Sequence, residues 1–291
     1  MTATELARKV RLVELRARKT AGGVVSGAYH SAFKGQGVEF QEVREYVPGD
    51  DTRAIDWNVT ARVGRPFIKR FAEERDQTVM LLVDGSRSNR IAGGVAAKSE
   101  VVSEICAVLA FAAVHNKDAT GLIVFTNEVE LYVQPGRGVA HVLRIVRDVL
   151  AFQPRGKGTQ ISGALEFLAK VQRRRSLVFV ISDFQDRGYE RALKVAGRRH
   201  DVIAFPVFDP REEQLPDCGL AEFGDAETGA RFLLDTADPA VRHAWHEAAR
   251  KRASELQALF RAADIDHLRI EAGSDYLGRL IVFLRSRSKR D

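Results

Sequence analysis

Cysteine is nearly missing from this chain: two in 291 residues, Cys106 and Cys218, far apart and with no CxxC spacing. That excludes a disulfide framework and a thiolate zinc site, and it fits a reducing compartment. Long apolar runs are missing too. The longest uninterrupted one is Ile105 to Val114, well short of the ~20 residues a membrane helix needs, so it reads as a buried helix of a soluble protein. No secretory leader is visible, because the opening stretch MTATELARKVRLVELRARK is charged throughout. No internal repeat and no low-complexity segment stands out. Neither sign of charge dominates: Lys plus Arg is 45, Asp plus Glu 39, and the net charge is +6. A basic but mixed surface describes a solvated exterior better than a nucleic-acid footprint. The expectation is a cytoplasmic protein with no transmembrane segment and no nucleic-acid partner, for which peripheral membrane contact stays open.

What is present is a substantial core, with 45% hydrophobic residues, enough for one main domain and an appendage. Thr4 to Lys19 has the pattern of a basic amphipathic helix with Leu6, Val10, Leu12 and Val13 as its apolar residues, ended by Gly22-Gly23. Such a helix lies on a membrane or partner, or packs on its own domain. Gly35 to Gln77 then mixes dense charge with Phe40, Tyr46, Trp57, Phe67 and Phe71. Pro48-Gly49-Asp50-Asp51 is a turn signal. Ile55 and Trp57 alternate with Asp56 and Asn58, which predicts a short strand. Asp50, Asp51 and Asp56 read best as turn caps paired with Arg44, Arg53 and Arg62, ahead of a second acidic metal site.

From Thr78 onward strands alternate with helices, the signature of a layered α/β sheet with mostly parallel strands and helices on both faces. Strands are predicted over Thr78–Val83, Thr120–Phe125, Glu128–Val133, Leu177–Ser182, Val202–Val207, Phe232–Leu234 and His267–Ile270. Helices are predicted over Ala96–Asn116, Gly138–Phe152, Gln160–Arg173, Glu190–Arg199, Asp238 to about Ala262, and from Ser274 onward. The domain division expected is 1–76, an N-terminal helix and a small β-containing extension, and 77–291.

The chemistry concentrates where buried strands stop. Thr78-Val79-Met80-Leu81-Leu82-Val83 runs straight into Asp84-Gly85-Ser86-Arg87-Ser88, a carboxylate and two hydroxyls at alternate positions. Leu177–Ser182 likewise ends in Asp183. The loop Gln153–Thr159 presents Thr159 just before a helix, with Thr126 as the competing hydroxyl. In an open α/β sheet, ligands bind outside the carboxyl ends of the strands, where strand order reverses. If it reverses between these two strands, Asp84, Ser86, Ser88, Thr159 and Asp183 form a ring of hard oxygens. That set suits Mg²⁺, with Mn²⁺ or Ca²⁺ as alternatives, and leaves a position for water or an incoming acidic side chain.

The order D-x-S-x-S, Thr, Asp resembles the metal-ion-dependent adhesion site of von Willebrand factor A domains, over roughly Gln77 to the C-terminus. A long irregular block from Gly37 to Arg62, G-x-E-F-x-x-x-R-E-Y-x-P-G-D-D-x-R-x-I-D-W-x-x-x-A-R, resembles the bacterial family called domain of unknown function 58. The first resemblance implies Asp84, Ser86 and Ser88 as first-loop ligands, Thr159 as the second-loop ligand and Asp183 as the third. It departs at Asn89, where that pattern usually has methionine. The second implies a non-enzymatic adaptor or chaperone-like role beside a MoxR-type AAA+ ATPase.

Competing chemistries are weaker. A haloacid-dehalogenase-type phosphohydrolase uses an aspartate nucleophile and a second acid two residues later; here that position is Ser86. Gly156-Lys157-Gly158-Thr159 lacks the Walker spacing, with Ala151 and Gly158 where a glycine and a hydroxyl are required. His243, His246 and Glu247 have helical spacing but no third ligand near in sequence. Arg173-Arg174-Arg175 and the tail of Arg285, Arg287, Lys289 and Arg290 read as solvated charge.

Overall fold

A computed structural model describes residues 3–21, 25–33, 37–74, 77–90, 98–224 and 230–287. Gly22-Gly23, the predicted helix start at Ala96, and Lys289 and Arg290 of the tail lie outside the described residues. The chain divides into two compact units, Met1–Ala32 with Gln77–Asp291, and Phe33–Asp76.

The chain opens with α1 (Ala3–Thr20). Val13 and Ala17 are buried and Leu6 and Val10 half-buried, a stripe at helical spacing, whereas Leu12 falls off that stripe and is 49% exposed. The helix therefore packs on its own unit, against α4 (Lys98–His115) and α5 (Val139–Ala151). Lys9–Glu100 and Arg16–Glu104 ion pairs, at 2.9 and 2.6 Å, flank that contact. A short helix α2 (Ser26–Ala32), which the sequence pattern did not predict, follows.

The smaller unit is a two-stranded antiparallel ribbon, β1 (Gly37–Glu45) with β2 (Phe67–Glu74), bulged between Phe40 and Glu42. Between the strands, the short strand expected over 55–58 is replaced by helix α3 (Trp57–Val63). The cause is local. Asp56 Oδ1 accepts from the Asn58 and Val59 amides at 3.0 and 3.3 Å, an N-cap that outweighs the alternation of Ile55 and Trp57. Gly64, in the left-handed conformation, ends the helix. Asp50 pairs with Arg44 at 2.6 Å and accepts from the Val47 amide, and Asp51 accepts from the Arg53 amide. All three acids thus serve turns and caps.

The larger unit is built on β3 (Thr78–Asp84), β4 (Ala119–Phe125), β5 (Val129–Gly136), β6 (Leu177–Ser182) and β7 (Asp201–Phe208). Helices α6 (Ile161–Val171) and α7 (Glu190–Arg199) connect the middle strands, and α8 (Pro210–Glu213) follows β7. A small antiparallel pair, β8 (Leu220–Gly224) with β9 (Arg231–Asp235), precedes the long α9 (Pro239–Ala262); only the second of these strands was legible in the sequence. The single closing strand expected over 267–270 is two fragments, β10 (Asp266–His267) and β11 (Ile270–Glu271), both parallel to β7. Helix α10 (Tyr276–Arg287) ends the described chain.

Sheet order is β10-β7-β6-β3-β4-β5, with β11 also on β7. Only β5 is antiparallel, joined to β4 by the tight Thr126–Glu128 turn. The fold is thus mixed α/β with a mostly parallel central sheet. Val79 to Val83 are at most 2% exposed, as both faces of such a sheet are covered. Met80, Leu82, Ile123, Phe125, Val178 and Val180 face α6, α7 and α9 in one continuous apolar cluster. On the opposite face, α4 packs against β3 and β4. From β3 the chain winds outward through β4 and β5, then crosses back to place β6 on the other side of β3. Strand order reverses there, so the carboxyl ends of β3 and β6 lie side by side.

Candidate metal centre

The site grows from that reversal. Val83 stands in register with Ile181, so the next residues, Asp84 and Ser182, meet at the sheet rim. Asp84 is 2% exposed and Ser182 fully buried. The Ser182 hydroxyl donates to Asp84 Oδ2 at 2.6 Å, and the Ser86 amide donates to Oδ1 at 2.9 Å. The second bond is an Asx-type turn that folds the chain back on itself and lines up the two serines. Ser86 Oγ and Ser88 Oγ are 2.9 Å apart. Ser86 is buried, Ser88 half-buried and Arg87 between them exposed.

Gly85 is required by crowding. Its amide donates to the Phe125 carbonyl, and a Cβ there would stand 2.3 Å from Phe152 Cε1 and 2.9 Å from Val124 Cγ1. The same contact brings the loop that follows α5 beside the Asp84 turn. Thr159 lies half-buried in that loop, which is tied down at its far end by Gln160 N donating to the Thr126 carbonyl and Ile161 N to Asp186 Oδ2. The competing hydroxyl, Thr126, is fully buried and donates to Glu130 Oε1 at 2.7 Å. Its proton is thereby committed to the loop's own scaffold, since Glu130 also accepts the Arg155 and Gly156 amides.

Asp183 has a side chain 2% exposed, with Oδ1 accepting from the Gln185 amide and Oδ2 from Lys98 Nζ at 3.3 Å. Lys98 is the residue that sequence reasoning missed. Its side chain is 2% exposed, and its ammonium also contacts Glu212 Oε1 at 2.6 Å. Burial alone would pull the Lys98 ammonium down, but Asp183 and then Glu212 outweigh it and hold it above the ordinary lysine value. Burial raises Glu212 against the opposing pull of Lys98. The only signal available was a lone cation at the head of an apolar stretch, in VAAKSEVV. Ser182, the small hydroxyl before the acid, was the other silent member.

Burial, and then the nearby Asp183 charge, push Asp84 from 3.8 up to about 7, although the Ser182 and Ser86 hydrogen bonds work in the other direction. Burial is the larger cause, and the second, a neighbouring carboxylate, is one that added positive charge would relieve. Among the described residues, no group of three or more His, Cys, Asp or Glu side chains is arranged to hold a metal ion, so a cation here depends on hydroxyl oxygens as well. Carboxylates with serine hydroxyls are hard donors and fit a small divalent cation of the Mg²⁺ type.

Other sequence candidates lead elsewhere. Glu247 pairs with Arg250, His243 is exposed, and His246 Nδ1 lies 3.3 Å from the Glu213 carbonyl; among the described residues these side chains are not gathered into a metal-holding group. Among the described residues no helix is long and apolar enough to cross a membrane.

Relatives span the chain. Uncharacterized proteins of Mycobacterium tuberculosis (strain ATCC 25618 / H37Rv) and Mycobacterium bovis are each 29% identical to it over 290 residues, covering 98% of this chain and 90% of theirs. Among solved structures, the conserved hypothetical protein BatB of Bacteroides thetaiotaomicron aligns over 73% of this chain and 99% of its own, at 14% identity and a TM-score of 0.48. An aerotolerance-related membrane protein of Bacteroides fragilis NCTC 9343 aligns over 74% and 100%, at 17% identity and 0.49. The family model described as protein of unknown function DUF58 matches residues 42–255, well over half of the sequence, and the chain therefore belongs to the DUF58 family.

Proposed function

We propose that this protein is a non-enzymatic, divalent-cation-dependent protein-interaction module of the von Willebrand factor A type. The cation is Mg²⁺, with Mn²⁺ or Ca²⁺ able to substitute. Asp84, Ser86 and Ser88 hold it on the first loop, Thr159 and Asp183 complete the protein's share, and a partner's acidic side chain takes the remaining position. The observation that carries this reading is the meeting of Asp84, Ser86, Ser88, Ser182 and Asp183 at the strand-order reversal, where burial and then the Asp183 charge push Asp84 up to about 7. Arg87 is exposed beside the ligands and suits an acidic partner group. The partner proposed, a MoxR-type AAA+ ATPase, and a cytoplasmic location rest on the family resemblance and the composition alone.

The phosphohydrolase alternative has no observation in its favour. That chemistry needs a second acid two residues after the nucleophile, and the position two after Asp84 is Ser86.

The test is an affinity capture from the native host with Mg²⁺ or with EDTA, using wild-type and Asp84→Ala protein as baits. A partner held by wild type only with Mg²⁺, and never by the variant, is expected. Retention unaffected by EDTA would sink the cation-dependent reading, and steady turnover of a phosphate ester lost in Asp84→Asn would sink the non-enzymatic one.

A further inference from the structure

We propose that Lys98 is the resident cation of this centre. Its ammonium neutralises Asp183 while no metal is bound, and a divalent ion takes Asp183 only as the ammonium passes wholly to Glu212. The inference rests on the cation-site reading above and adds a control element to it.

Three observations carry it. The Lys98 side chain is 2% exposed, so its charge is matched inside the protein, and among the described residues its ammonium contacts the carboxylates of Asp183 at 3.3 Å and Glu212 at 2.6 Å. A buried ammonium without such partners is too costly to keep. The two contacts are unequal: the ammonium already lies closer to Glu212, and the Asp183 contact is the longer one and the easier to give up. Finally, the two acceptors differ in freedom. The Asp183 side chain is 2% exposed, just past a strand end, and bonded to the Gln185 amide, whereas the Glu212 side chain is 34% exposed on the short helix α8. Glu212 can follow the ammonium; Asp183 cannot.

Geometry then forces a competition. A Mg²⁺ ion coordinates carboxylate oxygen at ~2.1 Å, and an ammonium left 3.3 Å from Asp183 Oδ2 would face it across the same carboxylate. Two like charges at that separation in a water-poor site repel strongly. The ion therefore enters against Lys98, and Glu212 sets how readily Lys98 yields. Such a centre stays folded and charge-matched without metal, and it binds metal more weakly than its oxygens alone would.

The experiment is calorimetric titration with MgCl₂ of wild type, Lys98→Met, Glu212→Gln and the double variant, at fixed pH and salt. Lys98→Met is expected to tighten Mg²⁺ binding tenfold or more while lowering the melting temperature of the metal-free protein. Glu212→Gln, at a partly exposed position, is expected to fold and to weaken Mg²⁺ binding three- to tenfold. In the double variant the Glu212 change should lose most of its effect, since there is no ammonium left to receive. If Lys98→Met binds Mg²⁺ no more tightly than wild type, or the two changes are additive, the proposal is overturned while the cation site stands. Should Lys98→Met not fold, an unchanged affinity in Glu212→Gln overturns it alone. If neither wild type nor Lys98→Met binds Mg²⁺, both this proposal and the reading beneath it fail.

Discussion

Replacing Asp84 by asparagine removes a charge the protein holds at a cost. Burial and Asp183 push this carboxyl from 3.8 to about 7. A folded-state value raised above the unfolded one means that stability is fully present below 3.8 and is lost as pH rises through about 7. Each unit corresponds to about 1.4 kcal/mol, so at pH 8 the ionised group costs the metal-free fold at most about 4 kcal/mol. Asparagine is neutral and close to the same shape. Its carbonyl can accept from the Ser86 amide, but its NH₂ must face Ser182, whose hydroxyl proton now has to turn away. That returns part of the gain and leaves roughly 1–3 kcal/mol. In EDTA at pH 8, Asp84→Asn should therefore melt several degrees above wild type, at about 2–4 °C per kcal/mol for a domain of this size. The gap should narrow as pH falls toward 3.8. On the proposed cation site, Mg²⁺ at 100 times its Kd should stabilise wild type alone by about 2.7 kcal/mol, which closes or reverses the gap. Melting curves across pH, with and without Mg²⁺, decide the matter. A variant less stable than wild type in EDTA at pH 8, or one that Mg²⁺ stabilises equally, would refute the reasoning.

Gly85→Ala should cost about 1–3 kcal/mol through overpacking against Phe152 and Val124; urea denaturation of Gly85→Ala with Phe152→Leu should recover part of it, and simple additivity would mean the two loops do not cross there. His200 is 2% exposed and, among the described residues, neither ring nitrogen has a hydrogen-bond partner. Burial, then the Arg199 and Arg175 charges, hold it below the usual 6.5, so its contribution to stability is intact above 6.5 and lost as pH falls through the lowered value. His200→Leu should flatten the melting temperature between pH 7 and 5; an unchanged slope would assign the acid sensitivity elsewhere. Arg87→Glu should weaken capture of a metal-dependent partner at least tenfold while the Mg²⁺ dependence of the melting temperature persists, and equal capture would remove Arg87 from the interface.

The larger unit was legible because its two periodicities are strong. Five buried residues in a row at Val79–Val83 and six at Leu177–Ser182 leave little choice but central parallel strands. The Asp238-Pro239 start of α9 was equally readable, and Asp238 Oδ1 does accept from the Ala240 amide. The failures have physical causes. At 55–58, alternation predicted a strand where one capping carboxylate decided for a helix. At β8, Leu220 and its neighbours present no apolar run, because one face of the strand is exposed and the other only half-buried. The site was legible only where its residues follow a strand directly, as Asp84 and Asp183 do. Lys98 and Glu212 join it through the third dimension: one heads α4 and the other sits on α8, with no spacing in sequence that relates them.

Several departures from ordinary folding preference gather in one place. Asp84 is a carboxylate nearly without solvent, and Lys98 an ammonium nearly without solvent. Phe184, directly after Asp183, holds φ at 57°, a left-handed conformation that disfavours a bulky side chain, while its ring is locked edge-on against Phe260 at 5.1 Å. Gly85 admits no side chain at all. Apolar residues in place of all these paired charges together would commonly match or improve stability, and along the rest of β3 and β6 the sequence makes that choice. Lys117 and Asp264 also hold positive φ and Gly156 is as crowded as Gly85, but buried charges gathered beside two adjacent strand ends point to a demand other than stability. For the buried side chains that demand is charge: among the described residues the cluster sets the carboxylates of Asp84, Asp183 and Glu212 against the Lys98 ammonium, and on the function proposed above the excess acid would complement a divalent cation.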